Sequence, residues 1–283
     1  MQASQQDNVS WWTRHPMTYD WEGAITAAPG SPEFFEQSDR RALDAHRPFG
    51  HPNLPAEPPY SRLIDWEGVR DRRVLEIGCG LGLHASLFAA AGARVVTMDL
   101  TPTAVNLARA RFTHRKVAAG LTRADGERLP FPDATFDQVW SWGVIHHSAN
   151  TPGIVAEVLR VLKPGGLFRA MVYHRRSVRY WIIGGLQHGI VRGKLLRLTL
   201  EEVNQTFTDG AIARHYTVPE ARELLADFET PRFRILQEAG SDALPKISPL
   251  LRRLSPTLAS RVDAWVNARF GWFLFWEARK PCG

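Results

Sequence analysis

The chain has 283 residues, a formal net charge of +6 and two cysteines, Cys79 and Cys282. Two cysteines exclude a disulfide framework, no apolar run is long enough to cross a bilayer, and the N-terminus has no leader pattern, so we expect a cytoplasmic protein. The excess of arginine suits nucleic acid, an acidic membrane surface or a phosphorylated substrate, or it reflects arginine usage alone. Because the arginines are scattered and no nucleic-acid-binding motif is present, we expect no nucleic-acid partner.

Residues 1–60 differ in composition from the rest of the chain. They predict short helices and loops laid over a core formed by residues 61–283, and not an independent domain. We interpret this extension as a lid over a ligand, or as a hydrophobic strap or dimer contact. The prolines and aromatic residues on which this interpretation depends are Trp11, Trp12, Tyr19, Trp21, Phe34, Phe35, Pro48, Pro52, Pro55, Pro58 and Pro59.

The stretch from Arg73 to Leu83 is the most informative part of the sequence. An apolar run ends in three alternate glycines and a helical pattern follows, which predicts a strand, a turn that approaches a ligand closely, and a helix. Asp99 ends the next β-branched run, where an acid can accept hydrogen bonds from ribose hydroxyls. Glu76 would repel a pyrophosphate, and Leu83 stands where the dinucleotide fingerprint has a third glycine. The pattern therefore favours a nucleoside ligand with a cationic end.

The segments that follow alternate between strand and helix, which predicts a mostly parallel sheet with helices on both faces. Thr101-Pro102 is typical of a helix N-terminus, and Thr217 to Glu220 has capping-box spacing that opens a helix over 218–228. The predicted strands are 73–78, 94–98, 120–124, 136–142, 167–173 and 232–238, followed by an aromatic strand within 270–280.

Two segments interrupt this alternation. An insertion over about 174–213 begins with the basic group from His174 to Arg179, which could reach the active-site side of the sheet. Its basic and apolar stretch around 180–198 is interpreted as a lid helix or subunit interface, or as an amphipathic helix that contacts a membrane surface without inserting. A further helical segment covers about 247–268.

The candidate catalytic residues are His146, His147 and Tyr173, all at carboxyl ends of predicted strands, where ligands bind in open α/β sheets. Imidazole titrates near neutrality, so one histidine could act as a general base, and His147 is preferred. The alternative is that both histidines are scaffold, and that Tyr173 and His174 are a strand-end pair at the surface. Asp209 and the His215-Tyr216 pair are interpreted as caps and packing groups or as catalytic residues. No metal site is predicted.

Four ordered stretches resemble the motifs of class I S-adenosylmethionine-dependent methyltransferases, in particular the type 11, ubiquinone/menaquinone-type branch that acts on small molecules. They are the glycine turn with Asp99, the acidic stretch Ala124 to Asp137, the stretch Gln138 to His147, and Glu157 to Phe168. The resemblance implies a Rossmann-like seven-stranded, mostly parallel sheet, with an antiparallel last strand between strands five and six and helices on both faces.

The resemblance also implies S-adenosylmethionine as cofactor and transfer of its methyl group to oxygen, nitrogen or carbon of a small molecule in secondary-metabolite, isoprenoid or glycolipid biosynthesis. A non-catalytic S-adenosylmethionine-binding regulator and an NAD-dependent oxidoreductase are the alternatives. The implied contacts are with the methionine part for Glu76, Gly78 and Gly80, with the ribose for Asp99, with adenine for Asp125 and Gly126, and with the methionine part or adenine for Trp142; Cys79, Gly82 and Leu100 are further implied cofactor-binding residues.

Overall fold

The computed structural model describes residues 4–20, 22–50, 58–240, 244 and 247–282. Within these ranges one mixed sheet has the order β3-β2-β1-β4-β5-β8-β7, and β6 pairs with the free end of β5. The strands are β1 Arg73–Ile77, β2 Arg94–Asp99, β3 Ala119–Arg123, β4 Phe136–Trp142, β5 Leu162–His174, β6 His215–Tyr216, β7 Glu229–Leu236 and β8 Phe273–Arg279.

Helices flank this sheet on both faces. One further helix, Arg179–Val191, is of the wide π type and is called the glycine-faced helix below. The α-helices are α1 Gln5–Arg14, α2 Pro32–Ala45, α3 Leu83–Ala90, α4 Pro102–Arg115, α5 Thr151–Val161, α6 Leu200–Gln205, α7 Val218–Leu224, α8 Ile247–Leu254 and α9 Pro256–Phe270.

The predicted sheet is confirmed, including the position of its last strand. β8 lies between β5 and β7 and runs antiparallel to both, while the other paired strands are parallel. Its residues Leu274 and Trp276 are fully buried on one face, and Phe275 is buried on the other. A strand that is covered on both faces has a continuous apolar sequence, which explains the aromatic residues of β8. The two-residue strand β6 adds an eighth strand to the seven expected.

The capping signals placed two helix starts correctly. The hydroxyl of Thr101 accepts from the backbone N–H of Ala104, and Thr217 forms a reciprocal capping box with Glu220. The expected helix over 218–228 ends earlier, at Leu224, and the predicted segment 247–268 is two helices because Ser255 caps a new one. Among the predictions for residues 1–60, those for Trp21, Pro52 and Pro55 fall outside the described residues.

A buried ion pair fastens the N-terminal extension to the core, and sequence analysis missed it. The guanidinium of Arg111 in α4 donates to both carboxylate oxygens of Asp39 in α2, at 2.9 and 2.7 Å. Its Nε donates to the carbonyl of Leu81, in the glycine turn, at 2.5 Å. The same guanidinium lies 4.7 Å from the ring centroid of Phe35. One side chain therefore joins α2, α4 and the ligand-binding turn.

Among the described residues, no helix is both long and apolar enough to span a bilayer.

Candidate active site

A cavity of about 490 Å³ opens at the carboxyl ends of β1, β2, β4 and β5. This is the edge at which open α/β sheets bind ligands, because the strand-to-helix turns converge there. Three predicted site residues, Glu76, Gly82 and His146, do not line it. The predicted residues that do line it are Gly78, Cys79, Gly80, Asp99, Leu100, Asp125, Gly126, Trp142, His147 and Tyr173.

The three glycines of the turn have different roles. Each has a positive φ, of +84° at Gly78, +48° at Gly80 and +79° at Gly82. A Cβ on Gly78 would lie 2.2 Å from Val144 Cγ2, and one on Gly82 would lie 2.9 Å from Phe112 Cε1, so these two glycines allow close packing. A Cβ on Gly80 would meet nothing within 4 Å. Only Gly80 therefore combines left-handed backbone with open space beside the cavity.

Two carboxylates stand at one end of the cavity. Asp99 accepts hydrogen bonds from the backbone N–H groups of Gly80 and Thr101, at 3.2 and 2.9 Å. Burial nevertheless raises the pKa of Asp99 above its usual range. Asp125 accepts from the amide of Gln5 at 3.0 and 3.2 Å. Both acids thus face the same space, at the ends of neighbouring strands β2 and β3.

Glu76 lies one layer behind the cavity wall. It is buried in β1, and its Oε2 accepts from the hydroxyl of Thr97 at 2.6 Å. Its Oε1 has no hydrogen-bond partner among the described residues and lies 3.5 Å from Nδ1 of His84, which does line the cavity. The implied contact of Glu76 with the methionine part of a cofactor therefore stays a prediction. Because His84 lines the cavity and Glu76 does not, Glu76 would act on the ligand past His84 or through it.

The two candidate histidines occupy different positions. Nδ1 of His147 lies 2.6 Å from the carbonyl oxygen of Ile212, so Nδ1 carries the proton and Nε2 the lone pair. Burial lowers the pKa of His147 to about 4, so the ring is neutral at pH 7. His146 is fully buried behind it, neither ring nitrogen has a described partner, and its pKa lies well below the usual value. Of the pair, only His147 faces the cavity.

The opposite end of the cavity combines aromatic and charged side chains from distant segments. The ring of Tyr173 stacks on Trp272 with 4.6 Å between centroids, and the guanidinium of Arg179 lies 4.9 Å from the Trp272 ring centroid. Glu238 also lines this end, and burial raises its pKa. Of the candidates around the insertion, Asp209 lines this end too, whereas His215 packs among aromatic rings.

Sequence analysis missed Trp272, Glu238 and His46 as cavity residues. Trp272 was assigned only to the last strand, and Glu238 to the end of strand six. His46 packs against Trp142 at 5.3 Å, and burial lowers its pKa to about 3. Tyr173, Asp209 and the basic group that ends in Arg179 were the sequence signals that pointed to this end of the site.

Helix α1 lies across the mouth of the cavity. Gln5 binds the Asp125 carboxylate and accepts from the backbone N–H of Ala149. One turn later the amide of Asn8 donates to the backbone carbonyl of His147, and Trp12 packs edge-on to the His147 ring at 5.0 Å. The helix therefore touches both the acidic end and the histidine end of the site.

Comparison with known proteins identifies the domain that carries this site. Residues 75–170 match the methyltransferase domain family, and the sheet order and the glycine turn agree with that match. The chain carries a class I S-adenosylmethionine-dependent methyltransferase domain. Its matched part contains the glycine turn, Asp99, Asp125 and His147, while Tyr173 and the rest of the opposite end lie beyond it.

The methyltransferase domain has relatives that are named for an activity. The chain is 31% identical over 154 residues to the phthiotriol/phenolphthiotriol dimycocerosates methyltransferase of Mycobacterium leprae, covering 53% of this chain and 54% of that protein. It is 37% identical over 102 residues to the fatty-acid O-methyltransferase of Mycolicibacterium smegmatis, covering 35% of this chain and 36% of that protein. The chain thus spans between about a third and about half of the length of these curated relatives.

The fold extends further than the sequence match. A solved chain from the complex between a Haloferax volcanii methyltransferase activator and a putative methyltransferase superimposes with a TM-score of 0.54. It is 18% identical and covers 87% of this chain and 92% of its own. At that identity the likeness concerns the fold alone.

Proposed function

We propose that the chain transfers a methyl group from S-adenosylmethionine to a small molecule with an apolar part and a polar or charged end. The observation that carries the proposal is one cavity with two chemically different ends. The end at Asp99 and Asp125 suits a nucleoside, and the end at Tyr173, Arg179 and Trp272 suits an acceptor. Both ends meet at the carboxyl edge of the sheet, beside His147.

The residues present fit the cofactor. The open space at Gly80, which a Cβ would fill, suits a ligand held against the backbone, and Asp99 beside it suits ribose hydroxyls. Asp125 would accept from the adenine amine. S-adenosylmethionine would supply a methyl group on a sulfonium, and the neutral thioether that departs, S-adenosylhomocysteine, is a good leaving group for in-line displacement. The faces of Trp142 and Tyr173 would attract that positive charge.

At the acceptor end, the side chains would bind and orient the acceptor more than they would take up its proton. A neutral His147 with its lone pair on Nε2 can accept a hydrogen bond from an acceptor hydroxyl or amine, and thereby hold its nucleophilic atom towards the cofactor. A pKa near 4 makes it a weak base, so we propose acceptors that ionise readily or carry a free lone pair. The name of the fatty-acid O-methyltransferase relative supports a carboxylate among those acceptors.

We further propose that α1 is a lid. Entry of adenine would compete with Gln5 for the Asp125 carboxylate, so binding requires α1 to shift or to exchange that contact. Once closed over the cofactor, α1 would place Trp12 against the site and exclude water.

The test is calorimetric titration of the full chain with S-adenosylmethionine, S-adenosylhomocysteine and NADH in parallel, followed by incubation with acceptors. Micromolar binding of the first two ligands alone, and release of S-adenosylhomocysteine with a fatty acid or related lipid acid, is the expected result. Binding of NADH would favour an oxidoreductase. Cofactor binding without product for any acceptor class would favour a non-catalytic regulator.

A further inference from the structure

The glycine-faced helix Arg179–Val191 turns most of its large apolar side chains towards solvent and not towards the core. Its buried residues are Tyr180 and three glycines, Gly184, Gly185 and Gly189. A surface helix normally turns its large apolar residues towards the core. The exposed apolar face of this helix and the turn after it consists of Trp181, Ile182, Leu186, Ile190, Val191, Leu195 and Leu196.

Packing of the glycines holds this orientation. A Cβ on Gly184 would lie 2.3 Å from Asn204 Oδ1, and one on Gly189 would lie 2.8 Å from two carbons of Leu195. The amide of Asn204 also donates to the carbonyl of Tyr180 at 3.4 Å, which joins α6 to the glycine-faced helix. A side chain at Gly184 or Gly189 would clash with these neighbours, so this part of the helix cannot turn its large apolar residues inwards. Val191 and Leu196 remain 75% and 89% exposed.

The helix and the turn after it carry charge of one sign. Residues 179–198 contain four cationic side chains and no acidic one. Arg192, Lys194 and Arg197, which surround the exposed end of the helix, form no ion pair with any residue in the described parts of the chain. Apolar side chains interleaved with unpaired cations are the surface that an anionic lipid interface binds.

We infer that the exposed apolar face of the glycine-faced helix, with Arg192, Lys194 and Arg197, docks on an anionic lipid bilayer surface. A second copy of the chain is the less suitable occupant, since a two-fold contact would bring the cations of both copies together. The helix begins at Arg179, which lines the acceptor end of the cavity, so docking would place that end next to the lipid. The inference goes beyond methyl transfer and does not depend on it.

The test is co-sedimentation of the full chain with vesicles of phosphatidylcholine alone and of phosphatidylcholine mixed with phosphatidylglycerol. We expect binding to the mixed vesicles only, and weaker binding at high salt. The triple variant Ile190→Ser, Val191→Ser, Leu196→Ser should lower the partition coefficient about tenfold or more, because the insertable side chains are lost. Arg192→Gln with Arg197→Gln should lower it about 25-fold, at about fivefold for each cation.

The matched control removes equally exposed apolar surface elsewhere. Leu250→Ser, Leu254→Ser, Leu258→Ser on α8 and α9 should leave vesicle binding unchanged, since these leucines are each more than half exposed but lie on other helices. Every substituted side chain is exposed, so thermal midpoints should match the parent chain. The inference is overturned if the parent chain does not bind the mixed vesicles, or if the control variant loses binding while the Ile190, Val191 and Leu196 triple variant keeps it. It is also overturned if light scattering finds a dimer that only this triple variant dissociates.

Discussion

The ion pair between Asp39 and Arg111 should carry a large share of the stability that joins the N-terminal extension to the methyltransferase domain. Arg111 has no exposed surface, and its three hydrogen bonds go to the Asp39 carboxylate and the Leu81 carbonyl. Replacing Asp39 by asparagine would leave the guanidinium cation buried without its carboxylate. Breaking such a pair from one side costs about 3–5 kcal/mol.

A second arginine provides a comparison for the Asp39–Arg111 pair. Arg115 also pairs with Asp39, at 2.8 Å, but its side chain is 39% exposed. Its loss should therefore cost less than about 1 kcal/mol, because Arg115 is partly exposed and the Asp39 carboxylate keeps both hydrogen bonds from Arg111. The double variant Asp39→Leu, Arg111→Met replaces both buried charges by apolar groups, and we expect it to be more stable than Asp39→Asn alone.

Urea denaturation measures these differences as shifts of the midpoint at constant slope. A loss of about 3–5 kcal/mol should also lower the thermal midpoint by roughly 6–20 °C for a domain of this size. If Asp39→Asn costs no more than Arg115→Met, the pair is not the anchor that its burial indicates. If the double variant is the least stable of the set, the cost lies in lost packing and not in an unpaired charge.

Further predictions concern the site. His147→Ala should cut turnover about tenfold or more with little change in S-adenosylmethionine affinity; full activity would make His147 scaffold. The folded pKa of His147 is about 4, below the usual 6.5, so its contribution to stability is present above pH 6.5 and is lost as the pH falls towards 4. For the same reason protonation of His147 should not lower kcat/KM near pH 6.5, and His147→Ala should leave that part of the pH profile unchanged. Asp99→Ala should abolish tight cofactor binding in calorimetry, and unchanged affinity would contradict the ribose assignment. Gln5→Ala should speed cofactor association about fivefold in stopped-flow fluorescence by freeing Asp125, whereas an unchanged rate would mean that α1 does not gate entry.

The sheet and the convergence of the glycine turn and the two acids on one cavity were predictable because their signals are local. The turn from Gly78 to Gly82 interrupts an apolar strand within a few residues, and Asp99 marks the end of the next one. Such short patterns fix strand ends, and parallel topology then brings those ends to one edge. What the pattern could not separate was the role of each glycine, since contacts with Val144 and Phe112 come from other segments.

The state of the candidate base was beyond local reasoning. The histidine pair was found from its place after strand four, but the carbonyl of Ile212, in the insertion, decides which nitrogen of His147 holds the proton. Burial by α1 and the insertion decides its pKa. Neither effect is written in the residues around His147, so the sequence could name the group but not its charge.

The division of the cavity coincides with the reach of the family model. The matched residues 75–170 hold the glycine turn and the two acids and end before Tyr173. The acceptor end is assembled from Arg179 in the insertion, Glu238 after β7 and Trp272 before β8, all outside the match. β8 pairs with both β5 and β7, which brings these segments to one end of the sheet. Under the proposed function, acceptor choice should therefore follow the insertion and the C-terminal segments, and cofactor binding the matched core.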